Sequence, residues 1–242
     1  MSNYYSYSRV ETFRQCNFRY KLQYIDELKT LENYDADNAL HIGSMLHKAI
    51  ETDVETAINE YYDMFPIITD AHIHEAMKIE ALAPKVKALL PKGKHEVLLE
   101  DDEFKGFIDY LTENEIMDFK YSNNIDRYLE SGQLHVYKYF VEKLLGVKIN
   151  CLYYVFVPKV AIRQKKTETI EQFRTRLRSV LSEQQPKIIA VEYDHSKVDE
   201  YLETVEEIKN ATEFPKNETK LCDYCNYKLF CQSNGEVTYD II

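Results

Sequence analysis

Ten residues near the middle of the chain, INCLYYVFVP (149–158), are apolar almost without interruption. A strand of that kind has no solvent face, so it belongs inside a sheet covered on both sides. Three shorter β-leaning runs precede it: HEVLLE (95–100), FKGFIDYL (104–111) and EIMDFKY (115–121). Asp101–Asp102 and Glu113–Asn114 lie between them as turn signals, which predicts a three-stranded antiparallel meander. Apolar residues at helical spacing predict helices over 9–25 and 44–62, with Ser44 as a possible N-cap. A further helix is expected over 71–90, kinked or split at Pro84. QLHVYKYFVEKLLG (133–146) reads as a helix closed by Gly146. A helix over 167–185, a strand over 187–194 and a helix over 196–212 follow. The expected class is α/β, with a core of helix, three-stranded meander, helix and strand, flanked by helices, in one domain over 1–242.

Charge narrows the partners. Asp and Glu number 41 against 30 Lys and Arg, a formal net charge of −11. That balance argues against a uniformly basic, phosphate-binding surface. Basic residues nevertheless cluster at Lys159, Arg163, Lys165 and Lys166, and at Arg174, Arg176 and Arg178, while acid gathers in 96–103 and 192–213. Such clusters are commonly solvated faces. Nucleic acid is therefore disfavoured by net charge without being excluded by its distribution. No apolar stretch is long enough to cross a bilayer. The opening MSNYYSYSRVETFRQC lacks the apolar middle of a signal peptide. A cytoplasmic protein with no membrane partner is the expectation.

The segment 104–121 carries the most chemistry. On a strand, alternate side chains share a face, so Asp118 and Lys120 point one way and Phe119 the other. If the runs around Asp109 and Asp118 pair as a hairpin, two carboxylates converge into a hard-oxygen site suited to Mg2+ or Mn2+. A neighbouring ammonium can orient or help deprotonate a water, and the cation can offset charge on a phosphoryl transition state. A solvent-facing Asp and Lys on an edge strand is the plainer explanation of the same pattern. In GSMLHKAIE (43–51), His47 and Glu51 are four apart on one helix face. His47 can be a third ligand, a phosphate contact, or an ordinary core or surface histidine. Gln133 and Tyr137 are likewise four apart, placed either to position a water or phosphate or simply to pack.

The chain has five cysteines. Cys222, Cys225 and Cys231 form C-x2-C-x5-C, and Cys16 can supply a fourth thiolate from the other end of the sequence. Four thiolates suit zinc or a 4Fe-4S cluster, and spacing does not separate the two. A clip of that kind closes almost the whole chain into a loop and removes unfolded-state freedom. Cys151, in the apolar strand, reads as a small core residue.

Taken together, these motifs resemble the RecB-like branch of the PD-(D/E)xK nucleases, which includes CRISPR-associated exonucleases carrying a 4Fe-4S cluster. Six motifs carry the resemblance in order. Ser6 to Cys16 is similar to the family's opening, and Gly43 to Glu51 to its histidine motif. Gly106 to Asp109 is similar to G-x-(I/V)-D, and Ile116 to Lys120 to (V/I)-x-D-(F/Y)-K. Gln133 with Tyr137 matches Q-x-x-x-Y, and the last three cysteines match the closing C-x2-C-x5-C. Asn17 stands where the family usually has Pro. Tyr121 and Ser122, then Asn123 and Asn124, stand where it has Thr or Ser and then Gly. The resemblance implies a restriction-endonuclease-like core and a divalent metal held by His47, Asp109 and Asp118. It implies that Lys120 orients the attacking water and that Gln133 and Tyr137 complete the site. Cys16, Cys222, Cys225 and Cys231 would bind 4Fe-4S within an iron–sulfur subdomain of 1–30 and 214–235. The activity implied is hydrolysis of DNA, as an exonuclease on ends or single strands in recombination, repair or phage DNA processing, with a helicase or recombination protein as partner. The alternative is a non-catalytic DNA-end-binding or scaffolding subunit.

Overall fold

The computed structural model describes residues 4–237. In chain order it contains α1 (Tyr7–Gln15), α2 (Asn17–Tyr20), a π-helical turn (Lys21–Ile25), α3 (Ala39–Glu51), α4 (Val54–Asp63) and α5 (Asp70–Lys87). Strands β1 (Lys94–Glu100), β2 (Lys105–Leu111) and β3 (Glu115–Tyr121) follow, then α6 (Asp126–Leu129) and α7 (Gln133–Leu145). After these come β4 (Cys151–Val157), α8 (Ile170–Glu183), β5 (Lys187–Val191), α9 (Ser196–Asn210), a 3-10 turn (Lys220–Tyr224) and α10 (Lys228–Gln232). No helix among the described residues is long and apolar enough to cross a membrane. Contacts divide the chain into two compact units. A terminal unit comprises the described parts of Met1–Asn33, Glu100–Gly106 and Asp194–Ile242. A sheet unit comprises Tyr34–Leu99 and Phe107–Tyr193.

The sheet is five-stranded and mixed, in the order β1-β2-β3-β4-β5. β2 and β3 are antiparallel with Tyr110 opposite Met117, and β3 runs parallel to β4 with Asp118 beside Tyr154. β4 and β5 are antiparallel. The parallel step needs a long crossover, which α6 and α7 supply. Phe119 faces an apolar core with Met117, Val155 and Val157 from the sheet, Met45, Leu46 and Ile50 from α3, Ile79 and Leu82 from α5, and Leu177 from α8. That burial is why an alternating strand places Asp118 and Lys120 on the other side.

Four local expectations need correction. Ser44 does not cap a helix: Asn38 does, accepting the Leu40 amide at 3.0 Å, so α3 starts five residues earlier. The run 44–62 is two helices, because the Asp53 side chain takes the Thr56 amide at 2.8 Å and starts α4 afresh. Pro84 sits inside α5, whose last turn is carried over it by the packing of Leu82, Ala83 and Val86. Cys151 is not a core residue. It and Tyr153 share one face of β4 and stay half-buried, while Leu152, Tyr154, Val155, Phe156 and Val157 are buried. Gly146 ends α7 with a φ of 65°, the left-handed cap that glycine adopts freely.

In the terminal unit, α1 is capped by Ser6, whose hydroxyl accepts the Arg9 amide at 3.2 Å. Phe13 packs edge-on to Tyr20 at 5.3 Å, and Phe214 stacks on Tyr20 at 6.3 Å. The Tyr227 hydroxyl donates to Leu28 O at 2.8 Å, tying the C-terminal turns to the segment after the π-helical turn.

Candidate active site and cysteine cavity

The hairpin of β2 and β3 stops being a regular ladder where the acids meet. Backbone pairing covers Leu111 with Ile116 and Tyr110 with Met117. One step further, the Phe119 amide donates to Asp109 Oδ2 at 2.7 Å. The carboxylate thus replaces a strand partner and is fixed against β3. Its other oxygen, Oδ1, lies 3.4 Å from His47 Nδ1. His47 comes from α3, with its ring edge-on to Phe119 at 5.8 Å and Nε2 3.1 Å from the Phe119 carbonyl. An Nε2–H donating to that carbonyl leaves Nδ1 directed at the carboxylates. Metal-binding histidines are commonly oriented this way, one ring nitrogen anchored on a carbonyl and the other free to ligate.

Glu96 of β1 joins them, with Oε1 3.9 Å from His47 Nδ1. Donor atoms of His47, Glu96 and Asp109 all lie within 4.8 Å of one another. Asp118 belongs beside this group rather than in it. It is 1% exposed and pairs with Lys120, whose Nζ stands 2.6 Å from Oδ2. That contact is out of hydrogen-bond alignment, and Oδ2 is a buried oxygen with no hydrogen-bond partner.

Lys120 Nζ donates to Gln133 Oε1 at 3.1 Å, and Gln133 Nε2 donates to the Tyr137 hydroxyl at 3.2 Å. The helical spacing of Gln133 and Tyr137 at the start of α7 makes this relay possible. The ammonium also lies over the rings of Tyr128 at 5.5 Å and Tyr154 at 5.9 Å. His47, Asp109, Asp118, Lys120, Gln133 and Tyr137 therefore gather in the sheet unit. Glu51 does not join them and pairs with Lys48 at 3.7 Å. Glu96, Tyr128 and Tyr154 were not legible as site residues, since no spacing rule links them to the D-x-K strand.

The electrostatics follow from this crowding. Burial alone would lower the His47 pKa, but the charge and hydrogen bond of Asp109, with Glu96 and Asp118, push it up to about 10. Burial pushes Asp118 up to about 6, with Asp109 adding and Lys120 opposing. Burial disfavours the Lys120 ammonium, yet Asp118 and Asp109 outweigh it and hold the amine above its ordinary value. Burial, then the Asp118 charge, raises the Tyr137 phenol. A site that holds a proton this tightly between acids attracts positive charge. The oxygen and imidazole donors of His47, Glu96 and Asp109 fit a hard divalent cation.

The sequence model of the PD-(D/E)XK nuclease superfamily matches residues 4–232. The chain belongs to the PD-(D/E)XK nuclease superfamily. No curated protein matches it. Membership points to a metal-dependent nuclease, and the group of His47, Glu96 and Asp109 could hold its metal. The five-stranded mixed sheet with its helices is consistent with that fold.

In the terminal unit, Cys16, Cys222, Cys225 and Cys231 line one cavity of about 740 Å³ with Arg19, Lys216 and Tyr227. Cys16 stands between α1 and α2, its Sγ accepting the Arg19 amide at 3.5 Å. Asn217 Nδ2 donates to Gln15 O at 2.9 Å, and Lys216 Nζ to Cys231 O at 2.6 Å. Burial raises the Cys231 thiol, with Lys216 opposing and Cys16, Cys225 and Cys222 adding. No three cysteine sulfurs among the described residues lie within 4.8 Å of one another. A tetrahedral zinc with bonds of about 2.3 Å needs sulfurs about 3.8 Å apart.

Proposed function

We propose that this chain hydrolyses DNA phosphodiesters with Mg2+ or Mn2+, as an exonuclease on ends or single strands. The observation that carries the reading is the convergence of His47 Nδ1 and Asp109 Oδ1 beside the buried Asp118–Lys120 pair. His47, Asp109 and Asp118 would hold the cation. Bound there, it would act as a Lewis acid toward the scissile phosphate and an attacking water. The residues do the rest. Lys120, held above its ordinary pKa by its acids, orients the water and offsets charge on the pentavalent phosphorus. Gln133 and Tyr137 fix the direction of that ammonium. Asp109, locked on the Phe119 amide, needs little rearrangement.

The cysteine cavity is read as the seat of a 4Fe-4S cluster bound by Cys16, Cys222, Cys225 and Cys231, with 1–30 and 214–235 as its subdomain. Four thiols lining one cavity support a site of four thiolates. Its role is structural, joining segments about 200 residues apart. A brown colour with visible absorbance and iron analysis supports it; stoichiometric zinc replaces it.

The test of the activity is digestion of labelled strands, linear and circular, single and double, with Mn2+ or Mg2+. Mononucleotide release from linear DNA that vanishes in Asp118→Asn supports the exonuclease. Cleavage of circles makes it an endonuclease. DNA bound equally by wild type and variant, with neither cutting, gives the scaffolding subunit.

A further inference from the structure

The two basic clusters of the sequence part company in the fold. On α8, Arg174 pairs with Asp70 at 2.7 Å and Arg176 with Glu168 at 2.8 Å, so both serve the structure. The loop between β4 and α8 is the opposite case. Residues 158–167 hold Lys159, Arg163, Lys165 and Lys166 and no acid, in a chain of formal net charge −11. All four cations are exposed, and none of their side chains has a hydrogen bond or ion pair among the described residues. Glu168, the next acid along the chain, is already engaged by Arg176 and by the Lys165 amide at 3.1 Å.

Like charges in one loop repel, yet the backbone here is fixed. Val160 is buried in the core and Ile162 packs against it. Arg176 donates to Arg163 O at 2.9 Å, and Gln164 Nε2 to Glu168 O at 2.7 Å. Asn123 ties down the start of the loop from the end of β3. Its Nδ2 donates to Lys159 O at 2.8 Å, and the Lys159 amide donates to its Oδ1 at 2.9 Å. Asn123 lies three residues after Lys120; Phe156, opposite Lys120 in the sheet, lies three residues before Lys159. Lys159 is thus at most about 10 Å of chain beyond the position opposite Lys120. Four unpartnered cations stand on a rigid frame beside a site suited to phosphodiesters. A bound polyanion would offset their mutual repulsion.

We infer that the 158–167 loop receives the phosphate backbone of the DNA strand running on from the scissile bond, with Lys159, Arg163, Lys165 and Lys166 as its phosphate contacts. The identity of the polyanion rests on the nuclease reading; the contacts themselves lie outside the hydrolytic site. They address phosphates, so they hold a DNA strand without regard to its sequence. An acidic chain repels DNA over most of its surface and admits it where cations gather, which gives the approach a direction. A substrate too short to reach past the hydrolytic site gains nothing from the loop.

The test is binding of a fluorescein-labelled single-stranded oligonucleotide, followed by anisotropy in a chelator so that nothing is cut, over about 50–200 mM salt. The loop variant carries Lys159→Ala, Arg163→Ala, Lys165→Ala and Lys166→Ala. Its slope of log affinity against log salt should be shallower by about 2–3, with binding about tenfold or more weaker at the lowest salt. A charge control carries Lys92→Ala, Lys148→Ala, Arg178→Ala and Lys187→Ala, and should keep the wild-type slope. All the replaced side chains are exposed, so both variants should melt as wild type does. A wild-type slope in the loop variant overturns the proposal. So does an equal loss in both variants, which would make the effect one of net charge alone. With Mn2+, the loop variant should show KM for a long DNA strand raised about tenfold or more, kcat within about twofold, and wild-type cleavage of a dinucleotide. Slowed cleavage of the dinucleotide would contradict a role in holding the DNA strand. If wild type cuts DNA and the loop variant keeps the wild-type slope, the hydrolytic site stands and the loop alone fails. If the loop variant loses slope and wild type cuts nothing, the loop stands as a DNA contact and the hydrolytic reading alone fails.

Discussion

Around Asp109 and Asp118, side chains already have their partners. The Phe119 amide holds Asp109, the Phe119 carbonyl holds His47, and Gln133 and Tyr137 hold Lys120. Around the four cysteines the protein supplies walls more than bonds. Cys16 accepts one amide at 3.5 Å, Cys222 makes one long contact to Asn217 O at 3.9 Å, and the rest is a cavity of about 740 Å³. On the proposed reading, the two regions use ligand-type residues differently. A hydrolytic cation must be gripped in one orientation and remain open to substrate, so its ligands are oriented by neighbouring hydrogen bonds. A structural group brings its own rigidity, so the chain need only wrap it.

The comparison breaks first at the acids. Asp118→Asn or Lys120→Met should lower DNA hydrolysis on the order of 10³-fold, as loss of a central electrostatic contact does, while a cooperative melting curve remains. Equal activity in wild type and both variants would remove the hydrolytic role of the D-x-K strand. Cys222→Ser should do the reverse. We expect Tm to fall by about 5 °C or more, with specific activity of the surviving folded fraction nearly unchanged. Loss of activity at constant Tm would move the cysteines from structure to chemistry.

Much of this division was legible in the chain. Alternation on β3 separates Asp118 and Lys120 from Phe119, and i, i+4 spacing puts Gln133 and Tyr137 on one face of α7. The hairpin that brings Asp109 to Asp118 follows from turn residues. Glu96 was not legible, because its place depends on a left-handed φ inside β1 that no residue pattern announces. Tyr154 was hidden for a different reason: it contacts Lys120 only through the parallel register of β3 and β4, which the crossover sets. Ser44 misled because any Ser before an apolar run imitates a cap, whereas Asn38 takes that role in α3.

Proton and cation should compete at the oriented site. His47 is held protonated up to about pH 10 by Asp109, Glu96 and Asp118, with burial opposing. Nδ1 ligates only when neutral, so the competent fraction grows as pH rises toward that value. Apparent Mn2+ affinity should climb by up to about tenfold per pH unit between pH 6 and 9, measured by titration at constant ionic strength. A flat profile would place the cation away from His47. The smallest effect is expected at the end of the Lys120 relay. Tyr137→Phe removes one hydrogen bond of about 1 kcal/mol and should slow hydrolysis roughly fivefold, with metal affinity unchanged.

Crystals soaked in Mn2+ and measured at its absorption edge would locate the cation directly. The account predicts an anomalous peak in contact with His47 Nδ1, Asp109 and Asp118. A peak elsewhere, or none at saturating Mn2+, would contradict it.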